Sequence, residues 1–307
     1  MEKLYLKAKE LDFRLADLPD KLPSKRILMC TPEHFDVTEA INEFMVNRAG
    51  DEVVLNKVDR CLAVAQWNYI KHLYLSLGYE VELISGPYGM EDAVFAANQS
   101  FPFLNLETGE KEVIMSIMRK PKRKKEVAYF EAWYKNEGYK IHYLHDCCFE
   151  AMGDALWFPG KNLIISGFGS TEHHRTDLEA LKQVAKITDI PVIGIHLTHK
   201  DFYHLNTTLC LVSHKTCLAY PEGVGVEGMK ILRMLFENVI EVPKKEAYAP
   251  NFACNAFSPD GKVVLIQHSC AQTITQLERL GYLVLRIDTS EYIKSGGSVF
   301  CMKMMVY

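Results

Sequence analysis

Three turn-linked pairs of short apolar runs, each followed by a helical pattern, constrain what this chain can fold into more than any single motif does. Ala155–Phe158 and Leu163–Ser166 flank Pro159-Gly160-Lys161-Asn162. Leu209–Val212 and Thr216–Ala219 precede a helical pattern from Val226 to Phe236. Ala253–Phe257 and Val263–Ile266 flank Pro259-Asp260-Gly261 and lead into a helix at Ala271. Each reads as a strand–strand–helix–strand unit of about 60 residues, and a chain of 307 residues has room for five.

The remaining apolar runs fit the same α/β rhythm. Strands are expected over Ile27–Cys30, Val81–Ile84, Val113–Ile117, Ile141–Leu144, Val192–His196, Leu283–Ile287 and Ser298–Met302. A helical stripe runs from Val58 to Leu77 and stops at Gly78; another, Ala271–Leu280, stops at Gly281. Thr176–Ile187 opens with Thr176 as a cap and Glu179 three residues on. No G-x-G-x-x-G follows a strand and no phosphate-binding loop is present, which argues against a doubly wound nucleotide fold. The expectation is a closed, five-bladed α/β propeller around a central channel. It forms one domain over 27–307, preceded by an extension over 1–26 with no assigned role.

Charge narrows the partners. A net charge of -4 gives no general attraction to nucleic acid or to anionic membranes. The basic run Arg119–Lys125 is broken by Pro121 and reads as a solvated turn. Nine cysteines without a C-x-x-C pair suit a reducing compartment and speak against disulfides or structural zinc. The first 26 residues lack the apolar core of a signal peptide, and no run approaches the roughly 20 apolar residues of a membrane span. A cytoplasmic location is expected.

Polar residues interrupt apolar surroundings in five places. These are Met29-Cys30-Thr31-Pro32-Glu33-His34-Phe35-Asp36-Val37 with Asn42 following, Glu91-Asp92-Ala93-Val94-Phe95-Ala96-Ala97-Asn98, and Phe149-Glu150-Ala151-Met152-Gly153-Asp154. Phe202-Tyr203-His204-Leu205-Asn206-Thr207 and Lys294-Ser295-Gly296-Gly297-Ser298-Val299-Phe300-Cys301 complete the set. At equivalent strand ends of a ring they would converge on its channel. The paired glycines let the backbone before Cys301 turn sharply or pass close to a ligand. Most of the other cysteines and histidines read as core or surface residues.

In order and in content these five segments, with Phe252-Ala253-Cys254-Asn255-Ala256, resemble the guanidine-modifying superfamily, the penteins. The likeness runs from about Ile27 to Met304 and is closest to the bacterial arginine dihydrolase and dimethylargininase-like branch. It implies a hydrolase without metal or organic cofactor, acting on the guanidine group of arginine or a close derivative. A homodimer is compatible with it. A guanidinium carbon is a poor electrophile, so a thiolate is the suitable nucleophile.

The resemblance implies that Cys301 attacks to form a covalent thiouronium and that His204 protonates the leaving nitrogen and then activates water. Glu150 would orient His204, and Asp92 would hold guanidinium N–H groups. Asn206 stands where deiminases commonly carry aspartate. Asn98, where deiminases and dimethylargininases carry an acid, favours the dihydrolase type together with Asn42. Asp154 is assigned to substrate binding or to a turn. Arg175 and Arg123 are candidates for gripping a substrate α-carboxylate. Two rivals remain: an amidinotransferase passing the amidine to an acceptor amine, and a non-catalytic binding protein of the same superfamily.

Overall fold

The alternating strands and helices resolve into small sheets of one recurring design. In the computed structural model, which describes residues 3–49 and 52–307, Ser100–Leu104 runs antiparallel to Lys111–Met115, which is parallel to Lys140–His142. The helix Val127–Asn136 makes the crossover. Ala155–Trp157, Ile164–Phe168 and Val192–His196 repeat the pattern around the helix Leu178–Thr188. Leu209–Leu211, Thr216–Ala219 and Asn238–Glu241 repeat it again around Pro221–Leu235. In the next unit Val263–Gln267 pairs in parallel with Leu283–Ile287 across the helix Ala271–Arg279.

The fifth unit joins the two ends of the chain. Met304–Val306 is antiparallel to Arg26–Cys30, which is parallel to Glu80–Ile84 across the helix Arg60–Ser76. The chain is thus a mixed α/β fold, with a separate hairpin of Val46–Ala49 and Glu52–Leu55.

Burial explains the strand choice. Ile164, Ile165, Val192, Ile193 and Ile195 are buried on both faces, as parallel strands covered by helices require. The helix Leu178–Thr188 turns Ala180, Leu181, Val184 and Ala185 inward, a spacing that fits one helical face. Fully burying such side chains contributes about 1.5–3 kcal/mol each for the larger ones.

Four sequence readings are corrected here. Ala253–Phe257 is a 3-10 turn, Ala253–Asn255, followed by a single bridge from Phe257 to Leu265. Ser298–Met302 contains no strand; Cys301 sits in a turn before Met304–Val306, because the backbone N–H groups of Ser298 and Cys301 point at the Asn255 side chain instead of a neighbouring strand. Thr176 is not the cap of its helix: that place belongs to Asp177, and the Thr176 hydroxyl accepts from the Glu150 N–H. The basic run is not wholly a solvated turn. It holds a one-turn helix, Pro121–Lys124, that turns Arg123 into the interior.

The N-terminal residues pack on the rest. Leu4–Tyr5 adds a parallel strand beside Val192–Ile193, and Tyr5, Leu11, Phe13 and Leu18 rest against the apolar cluster beneath. No helix among the described residues is long and apolar enough to cross a membrane.

Candidate active site

Short turns in equivalent places deliver the polar side chains. The 3-10 turns Glu91–Val94, Ala151–Gly153, Leu205–Thr207 and Ala253–Asn255 each precede the antiparallel strand or bridge that opens a unit. The turn holding Cys301 precedes Met304–Val306 in the same way. Asp92, Glu150, His204, Asn255 and Cys301 are therefore brought to one end of the sheets.

Cys301 is buried, with its Sγ approached by Asn255 Nδ2 at 3.2 Å and Asn206 Nδ2 at 3.5 Å. Burial pushes the thiol up; hydrogen bonds from Asn255 and the Ser298 backbone, with the Arg123 charge, act against that. Two glycines make the approach to Cys301 possible. A Cβ on Gly297 would lie 2.3 Å from the Phe95 ring, and Gly296 has φ +87°, with Tyr203 Oη and Asn42 Oδ1 within 3 Å of where a Cβ would stand.

Glu150 accepts from His204, Oε2 to Nε2 2.8 Å, and from the Arg119 N–H at 3.1 Å, while Arg175 Nη1 stands 4.0 Å from its Oε1. Burial would raise its pKa, but the Arg175 charge, the His204 hydrogen bond and Arg123 outweigh that and hold it down to about 2. These partners favour the ionised form of Glu150 at neutral pH. Gly153 lets His204 and Asn98 close in from two directions: a Cβ there would be 2.9 Å from the imidazole and 2.7 Å from Asn98 Nδ2.

Asp92 accepts from Ser295 Oγ at 2.8 Å, and burial raises its pKa against the pull of Arg123. Arg123 is bound to Glu126 through Nε and Nη2 at 3.1 and 2.9 Å, to Asn98 Oδ1 at 2.9 Å and to the Asp92 carbonyl at 3.1 Å. Arg175 is freer. Its Nη2 donates to the Ile41 carbonyl at 2.6 Å, its guanidinium lies over the Tyr203 ring, and Nε and Nη1 have no hydrogen-bond partner.

Asp92, Asn98, Arg123, Glu150, Arg175 and Cys301 line one small cavity of about 20 Å³. Asn42, at its roof, donates through Nδ2 to the Ser295 carbonyl at 3.1 Å. His204 and Asn206 stand one contact behind the wall, on Glu150 and Cys301 respectively. Asp154 is placed differently from its expected substrate contact. It is fully buried behind His204, where Oδ1 accepts from the Leu205 N–H at 2.9 Å and burial pushes its pKa up to about 6.

Asn255, Tyr203 and Ser295 were missed as site residues. Asn255 closes the 3-10 turn of its unit as Gly153 and Thr207 close theirs, and it lies in the segment Phe252–Ala256 that carries part of the resemblance. Reading that segment as a strand hides the turn.

A family model described as N,N-dimethylarginine dimethylhydrolase, eukaryotic, matches residues 31–307. The chain belongs to this family. Among curated relatives, the bifunctional arginine dihydrolase/ornithine cyclodeaminase ArgZ of Synechocystis is 30% identical over 283 residues. That match covers 92% of this chain and 37% of the relative, so the chain spans little more than a third of that protein. The N(G),N(G)-dimethylarginine dimethylaminohydrolase of Mycobacterium tuberculosis is 30% identical, covering 92% of this chain and 86% of its own. Among solved structures, the N-terminal domain of ArgZ with a covalently bound reaction intermediate superposes with a TM-score of 0.81 at 28% identity, over 92% of this chain and 97% of that one.

Proposed function

We propose that this dimethylhydrolase family member is a cysteine hydrolase that cleaves the guanidino group of arginine in two successive hydrolytic steps. The observation that carries this reading is one cavity bordered by a buried thiol and two carboxylates, one of which, Glu150, holds the His204 imidazole directly behind it. Five units of one design, with the C-terminal strand bonded to the first, support a five-bladed ring over 27–307 with the N-terminal residues laid on its outside.

A guanidinium held by Asp92 and Glu150 places a cation beside Cys301, which favours the thiolate that burial opposes. The sulfur adds to the central carbon. Ammonia leaves with a proton from His204, and a thiouronium remains. His204 then takes a proton from water, whose oxygen adds to the carbon; the sulfur departs and a ureido product is formed. With Nε2 on Glu150, Nδ1 is the ring nitrogen that exchanges these protons.

Asn98 supports a second cleavage. Its Oδ1 is taken by Arg123, and its Nδ2 is a buried donor without a partner. A donor opposes guanidinium N–H groups but suits a ureido oxygen. Hydrolysis of that ureido group gives ornithine, carbon dioxide and a second ammonia. Arg175, with two unpartnered donors, would take the substrate carboxylate. A cavity of about 20 Å³ holds roughly one water. Arginine therefore enters by lifting the roof, Ile41–Met45, which Arg175 and Asn42 hold down.

A second reading, methylated arginine as substrate, is favoured by the description of the matching family model. Incubation with arginine, citrulline and dimethylarginine, followed by mass spectrometry, separates the two. The two-step reading expects ornithine from arginine. Citrulline and dimethylamine from dimethylarginine alone would support the second. Transfer of an amidine to added glycine would make the protein an amidinotransferase, and no turnover by folded protein would contradict hydrolysis.

A further inference from the structure

A second cavity, much larger than the one at Cys301, lies away from it. It measures about 520 Å³, within the range of small-molecule sites, and shares no lining residue with the cavity at Cys301. Strand polarity places it at the far end of the sheets. Lys25, Tyr79 and Lys262 on its wall immediately precede the parallel strands Arg26–Cys30, Glu80–Ile84 and Val263–Gln267. Asn42 and Asp92 of the candidate active site follow the carboxyl ends of the first two.

Lys303 is part of this wall. It is fully buried, and its Nζ has no hydrogen-bond partner. The ammonium lies 3.5 Å from the centre of the Phe300 ring and 4.1 Å from that of Phe257, both of which also line the cavity. A cation against two ring faces is partly compensated. Its three N–H donors still want acceptors, and an unpaired buried charge is costly. Burial pushes the Lys303 pKa down to about 7, so an anion beside it would restore the proton. Around the mouth, Lys21, Lys25, Lys262 and His214 outnumber the single carboxylate Asp260, and the walls between are largely Leu156, Trp157, Phe158 and Met305.

We propose that this cavity binds a small organic carboxylate with an apolar body, its carboxylate on Lys303 and its body against Phe257, Phe300 and Trp157. The donor explains the anion; the aromatic and aliphatic walls explain the body. The cavity is separate from the one at Cys301, although the Lys303 and Cys301 charges interact.

Isothermal titration of the full chain with 3-phenylpropionate and with its neutral isostere 3-phenylpropionamide tests this. The acid is expected to bind saturably and the amide at least tenfold more weakly. Lys303→Met should cost the acid at least tenfold in affinity and leave the amide unchanged. A second variant, Lys25→Glu with Lys262→Glu, alters only exposed mouth residues and should weaken the acid severalfold, whether or not Lys303→Met folds. Equal affinity for acid and amide, acid binding indifferent to these substitutions, or no saturable binding up to about 10 mM would overturn the proposal.

Discussion

Asn255 grips the Cys301 turn at both ends of its amide. Its Oδ1 accepts the backbone N–H groups of Ser298 at 2.8 Å and Cys301 at 3.3 Å, and its Nδ2 faces Cys301 Sγ at 3.2 Å. The thiol is positioned by a residue 46 places earlier in the chain. Asn255→Ala removes the acceptor for two buried N–H groups, which costs about 1–3 kcal/mol each when left unmet. A lower denaturant midpoint and reduced kcat are expected together. Asn255→Asp keeps the acceptor and adds a negative charge beside the sulfur, so it should lose activity with a smaller change in midpoint.

Glu150 gives a pH signature. Its folded pKa of about 2 lies below the ordinary 4.5, so its ionised form contributes stability that is complete above the ordinary value. That contribution is lost as pH falls from about 4.5 towards 2. Glu150→Gln should flatten this part of a stability-against-pH curve. It should also lower kcat about 10²–10⁴-fold, because His204 loses the negative charge that stabilises its protonated form. Thermal melts from pH 2 to 7, with kcat at neutral pH, check both.

Gly297→Ala places a methyl 2.3 Å from a Phe95 ring carbon in the buried wall behind Cys301. Overpacking of this kind costs about 1–3 kcal/mol. A reduced melting temperature is expected, and a second substitution, Phe95→Leu, should recover part of it.

Arg175→Ala tests carboxylate recognition. With arginine, KM should rise about 10–100-fold, in line with the loss of a charge-assisted pair of hydrogen bonds. The decarboxylated analogue of arginine should be a poor substrate for the wild type and almost indifferent to the substitution. Steady-state kinetics with the two compounds provide the comparison.

Much of this was legible because the repeat is local. Ala155–Phe158 with Leu163–Ser166, and Leu209–Val212 with Thr216–Ala219, place two units within a residue or two, and their apolar period identifies them. What failed was of another kind. Ser298–Met302 has the composition of a strand, yet a tertiary contact, Asn255, takes its N–H groups and makes a turn. Arg123 sits in a run of surface-like cations; its inward direction is set by Glu126 and Asn98. The pairing of Met304–Val306 with Arg26–Cys30 joins opposite ends of the chain, which no local pattern encodes. The roles proposed for Cys301, His204 and Glu150 rest on motif order, whereas their spatial relation is set by tertiary contacts between distant segments.

The most direct measurement is turnover of arginine labelled with ¹³C at the guanidino carbon, followed by mass spectrometry of products and of acid-quenched intact protein. The account predicts labelled carbon dioxide with ornithine, a transient adduct on Cys301 in the wild type, and neither product nor adduct in Cys301→Ser. Undiminished turnover by folded Cys301→Ser, or a labelled adduct on any other residue, would contradict it.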